Sequence, residues 1–257
     1  MDSQCKLLDY DVLLVDMDGV LWRGSEPIAE NVSALKRALE QGVTVVLVTN
    51  NSTRSRRLYS FLVEKMGLPI PSDRIITSAY SAARLVSRLH GGGAHVLVIG
   101  EHGLTEEFVL EGHLVLTHSE WREADYVVAG LDRKLDYQTL SSGVMALRGG
   151  AVFVATNLDP TLPMENGVGV GSGGVISLLE KASGHHVDYV AGKPSCVMGD
   201  TLEKFVSKGK TLFIGDRVDT DMEQARMLGI DGLLLSESPI PTSEEWFCTS
   251  KNLSLLV

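Results

Sequence analysis

Short runs of Val, Ile and Leu that do not alternate with polar residues punctuate the chain at 11–15, 43–48, 95–99, 126–129, 151–155, 211–214 and 232–235. Strands buried on both faces read this way, and such strands belong to parallel sheets covered by helices. Between the runs, apolar residues fall at helical spacing. Val32, Leu35, Ala38 and Leu39 predict a helix over 30–41, stopped by Gly42. Leu58, Leu62 and Met66 predict a second, ended by Gly67 and Pro69. Further helices are predicted at 78–89, 137–147, 176–182, 196–205 and 221–228. Strand and helix alternate from end to end, so the fold class is α/β. The Gly-rich stretch 167–174 reads as a flexible connection, and Trp246 with Phe247 suggests that the tail beyond Pro239 packs.

Polar residues gather where the apolar runs end. The first run leads into Asp16-Met17-Asp18-Gly19, the second into Thr49-Asn50-Asn51, and the run at 211–214 into Gly215-Asp216 with Asp219 and Asp221 beyond. Ligands of open parallel sheets bind outside the carboxyl ends of the strands, so these ends predict one composite site. Two carboxylates spaced as Asp16 and Asp18 can divide the work, one attacking phosphorus and the other moving a proton. Asp16 and Asp216 offer the oxygen ligands that Mg²⁺ takes. The hydroxyl of Thr49 and the amides of Asn50 and Asn51 suit a phosphoryl group at a strand-to-helix junction. Lys193, in Gly192-Lys193-Pro194-Ser195, can neutralise charge there. Each also has a plain structural reading: an Asp-Gly turn, a helix N-cap at Asn51 or Ser52, a surface lysine, an acid-rich helix start.

Composition narrows the field. With 257 residues, 44% hydrophobic and 22% charged, the chain is a folded one, large enough to bury its core without staples. Its 33 acidic against 23 basic residues give a formal charge of −10, which repels nucleic acid. The Arg-rich spots at 54–57 and 84–88 read as solvated helix faces. Three cysteines without Cys-x-x-Cys spacing argue against a disulfide framework and fit a reducing compartment. No basic-then-apolar leader is visible at 1–10, and no apolar run reaches the roughly 18 residues of a membrane helix. The expectation is a soluble cytoplasmic protein with neither nucleic acid nor membrane as partner. The seven histidines, His185-His186 included, lack metal spacing, so zinc is not expected.

Four segments in chain order, Val15-Asp16-Met17-Asp18-Gly19-Val20-Leu21, Val48-Thr49-Asn50-Asn51, Gly192-Lys193-Pro194 and Ile214-Gly215-Asp216-Arg217-x-Asp219-x-Asp221, resemble the four signatures of the haloacid dehalogenase (HAD) superfamily. The chain is most similar to the p-nitrophenyl phosphatase/NagD-like branch, which carries a large α/β cap between the second and third signatures. Ala129-Gly130-Leu131-Asp132-Arg133 and Ala155-Thr156-Asn157-Leu158-Asp159-Pro160 resemble that branch too. The glycines at 167–174 depart from that branch's more usual Pro-Gly pair.

The resemblance implies a Rossmann-like parallel-sheet core at 1–78 and 188–257 and an inserted α/β cap at 79–187. It implies Mg²⁺-dependent hydrolysis of a small phosphate monoester, with Asp16 as the nucleophile that forms an aspartyl-phosphate and Asp18 as general acid and base. Thr49, Asn50 and Asn51 would bind the phosphoryl group and Lys193 would neutralise it. The metal would sit on Asp16, the Asp18 main-chain carbonyl and Asp216, with Asp221 in support and Asp219 not assigned. Asn157 and Asp159, beyond a cap run, would help select the substrate, a small phosphorylated metabolite. Trp22 and Arg23 follow the first signature; they could line the site mouth, and Trp22 could equally pack. Caps of this kind often support homodimers, though nothing in the sequence specifies one. The rival readings are a sugar-phosphate phosphotransferase or mutase of the same superfamily and a non-catalytic phosphometabolite-binding protein. A nicotinamide dehydrogenase is disfavoured because no Gly-x-Gly-x-x-Gly follows the first strand.

Overall fold

A computed structural model describes residues 6–164, 167–236 and 247–256. The chain divides into two compact units, one of Met1–Thr49, Arg57–Ile76 and Lys193–Val257, the other of Asn50–Arg56 and Thr77–Gly192. The expected packing of Trp246 lies outside the described residues.

The first unit is built on a six-stranded sheet in the order Phe247–Ser250, Asp231–Leu235, Thr211–Gly215, Val12–Asp16, Thr44–Thr49, Ile75–Thr77. Val12–Asp16 lies parallel to both of its neighbours, with Asp16 opposite Val48 and Val15 opposite Ile214. Val12–Asp16 and Thr211–Gly215 are buried at every position, as their unbroken apolar runs require. Leu13, Val15, Val45, Leu47, Leu212 and Ile214 join Leu35 and Val63 of the covering helices Ala29–Glu40 and Arg56–Lys65 in one core. Because the central strands are parallel and in register, Asp16, Thr49 and Gly215 end at one sheet edge.

The second unit has a five-stranded parallel sheet in the order Tyr189–Val190, Val152–Ala155, Tyr126–Ala129, His95–Ile99, Leu114–Val115. Leu97, Ile99, Val127, Phe153 and Ala155 pack with Leu147, Ile176 and Leu179 from the helices Tyr137–Arg148 and Ser172–Ser183.

Several expectations need correction. The helix His102–Leu110 carried no amphipathic signal because Glu107 sits fully buried beside Leu104 and Phe108 on its inner face. Arg56 is not on a solvated face: its guanidinium lies 3.4 Å over the Tyr80 ring and bonds Glu107 at 2.8 Å. The Arg56 backbone N–H donates to the other Glu107 oxygen at 2.7 Å. The Gly-rich stretch is no flexible connection, since Gly167–Val170 pairs antiparallel with Thr161–Met164 and Gly171 caps the helix Ser172–Ser183. Its exposed residues left no burial pattern to read. Cys196 is an exposed free thiol. No helix among the described residues is long and apolar enough to cross a membrane.

Candidate active site

Lys193 is the centre of the acidic edge. It precedes the helix Cys196–Val206, whose N-cap Ser195 accepts from the Met198 N–H, so Pro194 lies before the cap rather than at the first helical position. The buried Gln224 side chain takes the Ser195 N–H at 2.9 Å and holds this loop against the helix Glu223–Leu228, a role that no local pattern announced. The Lys193 Nζ, with its side chain 2% exposed, donates to Asp16 Oδ1 at 2.6 Å, Asp221 Oδ1 at 2.7 Å and the Val48 carbonyl at 3.2 Å. Burial alone would depress the ammonium's pKa, but the Asp16 and Asp221 carboxylates overcome it and the net direction is upward. Asp16 is pushed well above the ordinary carboxylate range by burial, with Lys193 opposing and Asp221 reinforcing the shift.

Asp216 completes the group. Ligand oxygens of Asp16, Asp216 and Asp221 lie within 4.8 Å of one another. Two glycines make that spacing possible. Gly19 has φ +85°, and a Cβ there would overlap the Asp216 carboxylate; a Cβ on Gly215 would overlap the Asp221 side chain. The φ and the close approach together make glycine a requirement at position 19. Three carboxylates face one ammonium, so the cluster is short of positive charge, and burial raises the Asp216 pKa as well. An all-oxygen, anion-rich donor set of this kind suits a hard divalent cation such as Mg²⁺. Asp219 stands apart: it is paired with Arg217 at 2.7 Å and its side chain is 70% exposed. Asp221, not Asp219, is therefore the acid beyond Asp216 that joins the cluster.

Asp18 lies exposed just beyond the strand end, and its Oδ1 accepts from the Trp22 indole N–H at 2.8 Å. Trp22 itself is nearly buried and stacks on Tyr59, with centroids 6.2 Å apart and planes 10° from parallel. Its carbonyl accepts from the Gly19 N–H at 2.8 Å, which closes the turn that carries Asp18. Of the two readings left open for Trp22, the structure thus shows packing together with a direct bond to Asp18.

Thr49 is buried at the end of its strand. No helix begins at Asn51 or Ser52; it starts at Arg56, and the intervening loop is closed by Asn51 Oδ1, which accepts from the Thr53 N–H at 2.9 Å and its hydroxyl at 2.8 Å. Within the second unit, the Asn50 carbonyl accepts from the Ser78 hydroxyl at 2.7 Å and from Asn157 Nδ2 at 2.9 Å. A planar trans peptide points its C=O and N–H in opposite directions, so these bonds also aim the Asn51 N–H. The Asn50 side-chain amide donates to Asp159 Oδ2 at 3.2 Å. Asn157 further donates to Ser172 Oγ at 3.2 Å and accepts from the Asp159 N–H at 3.1 Å. Its buried amide is thus engaged at both ends. Asn157→Ala would leave buried polar groups unpaired, and denaturant titration should show a loss of about 1–3 kcal/mol. Unchanged stability would mean that the clamp on Asn50 carries no weight.

The description "haloacid dehalogenase-like hydrolase" belongs to a family model that matches residues 13–113, and a HAD-hydrolase-like model matches residues 190–238. The segments hold Asp16, Asp18 and Thr49 in the first and Lys193, Asp216 and Asp221 in the second. The D-glycerol 3-phosphate phosphatase of Mycobacterium tuberculosis is 34% identical over 88% of this chain, which spans only 63% of that relative's length. The solved structure of a p-nitrophenyl phosphatase from Archaeoglobus fulgidus superposes with a TM-score of 0.85 at 30% identity, covering 95% of this chain and 97% of that one. Glycerol phosphate phosphatase Rv1692 from Mycobacterium tuberculosis, solved with magnesium, gives a TM-score of 0.80 at 32% identity over 90% of this chain and 70% of that one.

Proposed function

The chain belongs to the haloacid dehalogenase-like hydrolase family, in its NagD/p-nitrophenyl phosphatase branch, and from that premise we propose that it hydrolyses a small phosphorylated metabolite through an aspartyl-phosphate on Asp16. The observation that carries this reading is the buried Lys193, which bridges Asp16 and Asp221 beside the third carboxylate of Asp216.

In this reading a carboxylate oxygen of Asp16 attacks phosphorus in line with the ester oxygen. The P–O ester bond breaks, its electron pair leaves on oxygen, and that oxygen takes a proton from the Asp18 carboxyl group. The alcohol departs and Asp16 carries the phosphoryl group. Asp18, now a carboxylate, takes a proton from water as the water oxygen attacks the same phosphorus. The Asp16–phosphorus bond breaks, inorganic phosphate leaves, and the Asp16 carboxylate returns. Lys193 offsets the repulsion between nucleophile and substrate. The Thr49 hydroxyl and the loop amides at Asn50 and Asn51 hold the phosphoryl oxygens, the loop being kept in shape by Asn157 and Asp159, which enter the reaction in this way through Asn50. The residues that would hold Mg²⁺ are Asp16, the Asp18 main-chain carbonyl and Asp216, with Asp221 in support. When bound, the metal supplies the positive charge that lets an anionic carboxylate approach an anionic ester. The assignment of 1–78 and 188–257 as core and 79–187 as cap belongs to the same proposal.

Phosphate release from p-nitrophenyl phosphate and a panel of phosphorylated metabolites tests the reading. Release is expected with Mg²⁺ and should fall to background with chelator. The metal-free protein should also melt at a lower temperature than the Mg²⁺-loaded one, because an ion that binds only the folded state stabilises it. Turnover that ignores chelator, with no shift in melting, would sink the metal assignment. Inactivity on every ester would sink the hydrolase reading.

A further inference from the structure

Trp22 is the one aromatic residue whose polar atom touches an acid of the proposed machinery, among the contacts described. An indole N–H can only donate, so the oxygen it meets, Asp18 Oδ1, must remain an acceptor. A proton carried by that carboxyl group is then confined to Oδ2. The ring has little freedom to follow Asp18 if it swings, because it lies against Tyr59 and its own carbonyl is tied to the Gly19 N–H. Both ends of the turn Asp18-Gly19 are thus fastened to one rigid side chain and its backbone. Asp18 itself is exposed, and an exposed carboxyl group without such a tie would sample several rotamers.

On the reading of Asp18 as the general acid and base, we infer that Trp22 is a positioning residue that fixes the Asp18 carboxyl group with Oδ2 as the proton-carrying oxygen. Its contribution is selective. Protonation of the leaving oxygen matters most when the departing anion is a strong base, and little when it is stable by itself. Loss of the indole N–H therefore slows esters with poor leaving groups and spares those with good ones. A residue that only packed would show no such preference.

The test compares phenyl phosphate with p-nitrophenyl phosphate, two esters of nearly the same shape whose leaving phenolates differ in basicity. Because kcat/KM reports events up to phosphoryl transfer, it isolates the step in which Asp18 acts as acid. Trp22→Phe keeps the ring on Tyr59 and removes only the N–H. It should lower the phenyl to p-nitrophenyl ratio of kcat/KM roughly tenfold, the upper size expected for a lost hydrogen bond to a neutral group. Asp18→Asn should lower the same ratio at least as far. Tyr59→Leu, which removes the stacking partner and keeps the N–H, serves as the control for packing: it should lower the melting temperature while the ratio falls less than in Trp22→Phe, because the bond to Asp18 remains available. Thermal melts accompany each variant. An unchanged ratio in Trp22→Phe beside a lowered one in Asp18→Asn overturns the role given to Trp22 alone. An unchanged ratio in Asp18→Asn overturns the reading of Asp18, and the positioning role falls with it.

Discussion

Asp16→Asn is expected to lose phosphate release by at least about 10⁴-fold, the scale on which removal of a covalent nucleophile is felt, while the protein stays folded. The amide is nearly isosteric with the carboxyl group and cannot attack phosphorus. Stability relative to wild type should depend on pH. Burial holds the Asp16 carboxyl group well above its ordinary range, so the folded chain keeps a proton there that the unfolded chain has released. Wherever the folded state binds the extra proton, stability falls as pH rises, from the usual carboxylate pKa up to the raised one. The variant has no such proton to lose. In metal-free buffer its stability relative to wild type should therefore grow across that window and then level off. Phosphate assays and melts over a pH series read both effects. Turnover comparable to wild type would remove Asp16 as nucleophile; a stability difference from wild type that does not change with pH would contradict the raised pKa assigned to its carboxyl group.

Lys193→Met should damage both activity and stability. The ammonium is the cation that both Asp16 and Asp221 bond, at 2.6 and 2.7 Å, within a buried setting. Removing one partner of a buried ion pair leaves uncompensated charge and typically costs about 3–5 kcal/mol. The loss should depend on pH. Without the ammonium, Asp16 moves further above its ordinary range and takes up a proton more readily, so the variant recovers stability as the medium turns acidic. Wild-type Lys193, whose pKa is raised in the fold, adds stability that is whole below the unfolded lysine pKa and fades as pH climbs through the folded one. Turnover should fall roughly 10²–10³-fold, as when a charge-stabilising donor is removed from an active site. Denaturant melts in mildly acidic and mildly alkaline buffer would decide it. A variant as stable as wild type in alkaline buffer would mean that Lys193 is not the charge balance of this cluster.

Much of the edge is legible in the sequence alone. Unbroken runs of Val, Ile and Leu mark strands buried on both faces, and the residues that follow them must then stand at a sheet edge. That is why Asp16, Thr49 and Asp216 could be singled out as candidates for one site. The helices Ala29–Glu40, Ser78–His90 and Tyr137–Arg148 lie where apolar spacing placed them, within a residue or so. The helix His102–Leu110 has no readable apolar period because a buried glutamate breaks it, and a buried glutamate is tolerable only because Arg56, 51 positions earlier, meets it.

What the sequence determines by itself is local: the period of apolar residues, the turn glycines, and the chemistry waiting at each strand end. These depend on neighbours a few positions away, which the chain carries wherever it folds. The tertiary structure alone decided which distant groups meet. Lys193 reaches Asp16 across 177 positions and Asp221 across 28, a pairing no periodicity encodes. The choice of Asp221 over Asp219 depended on one facing buried Lys193 while the other turned out toward Arg217. The engagement of Asn157 with Asn50, across 107 positions, likewise came only with the packed fold. Burial and long-range hydrogen bonding are properties of the assembled chain, and in this protein they turn a row of polar strand ends into an ordered cluster of charge.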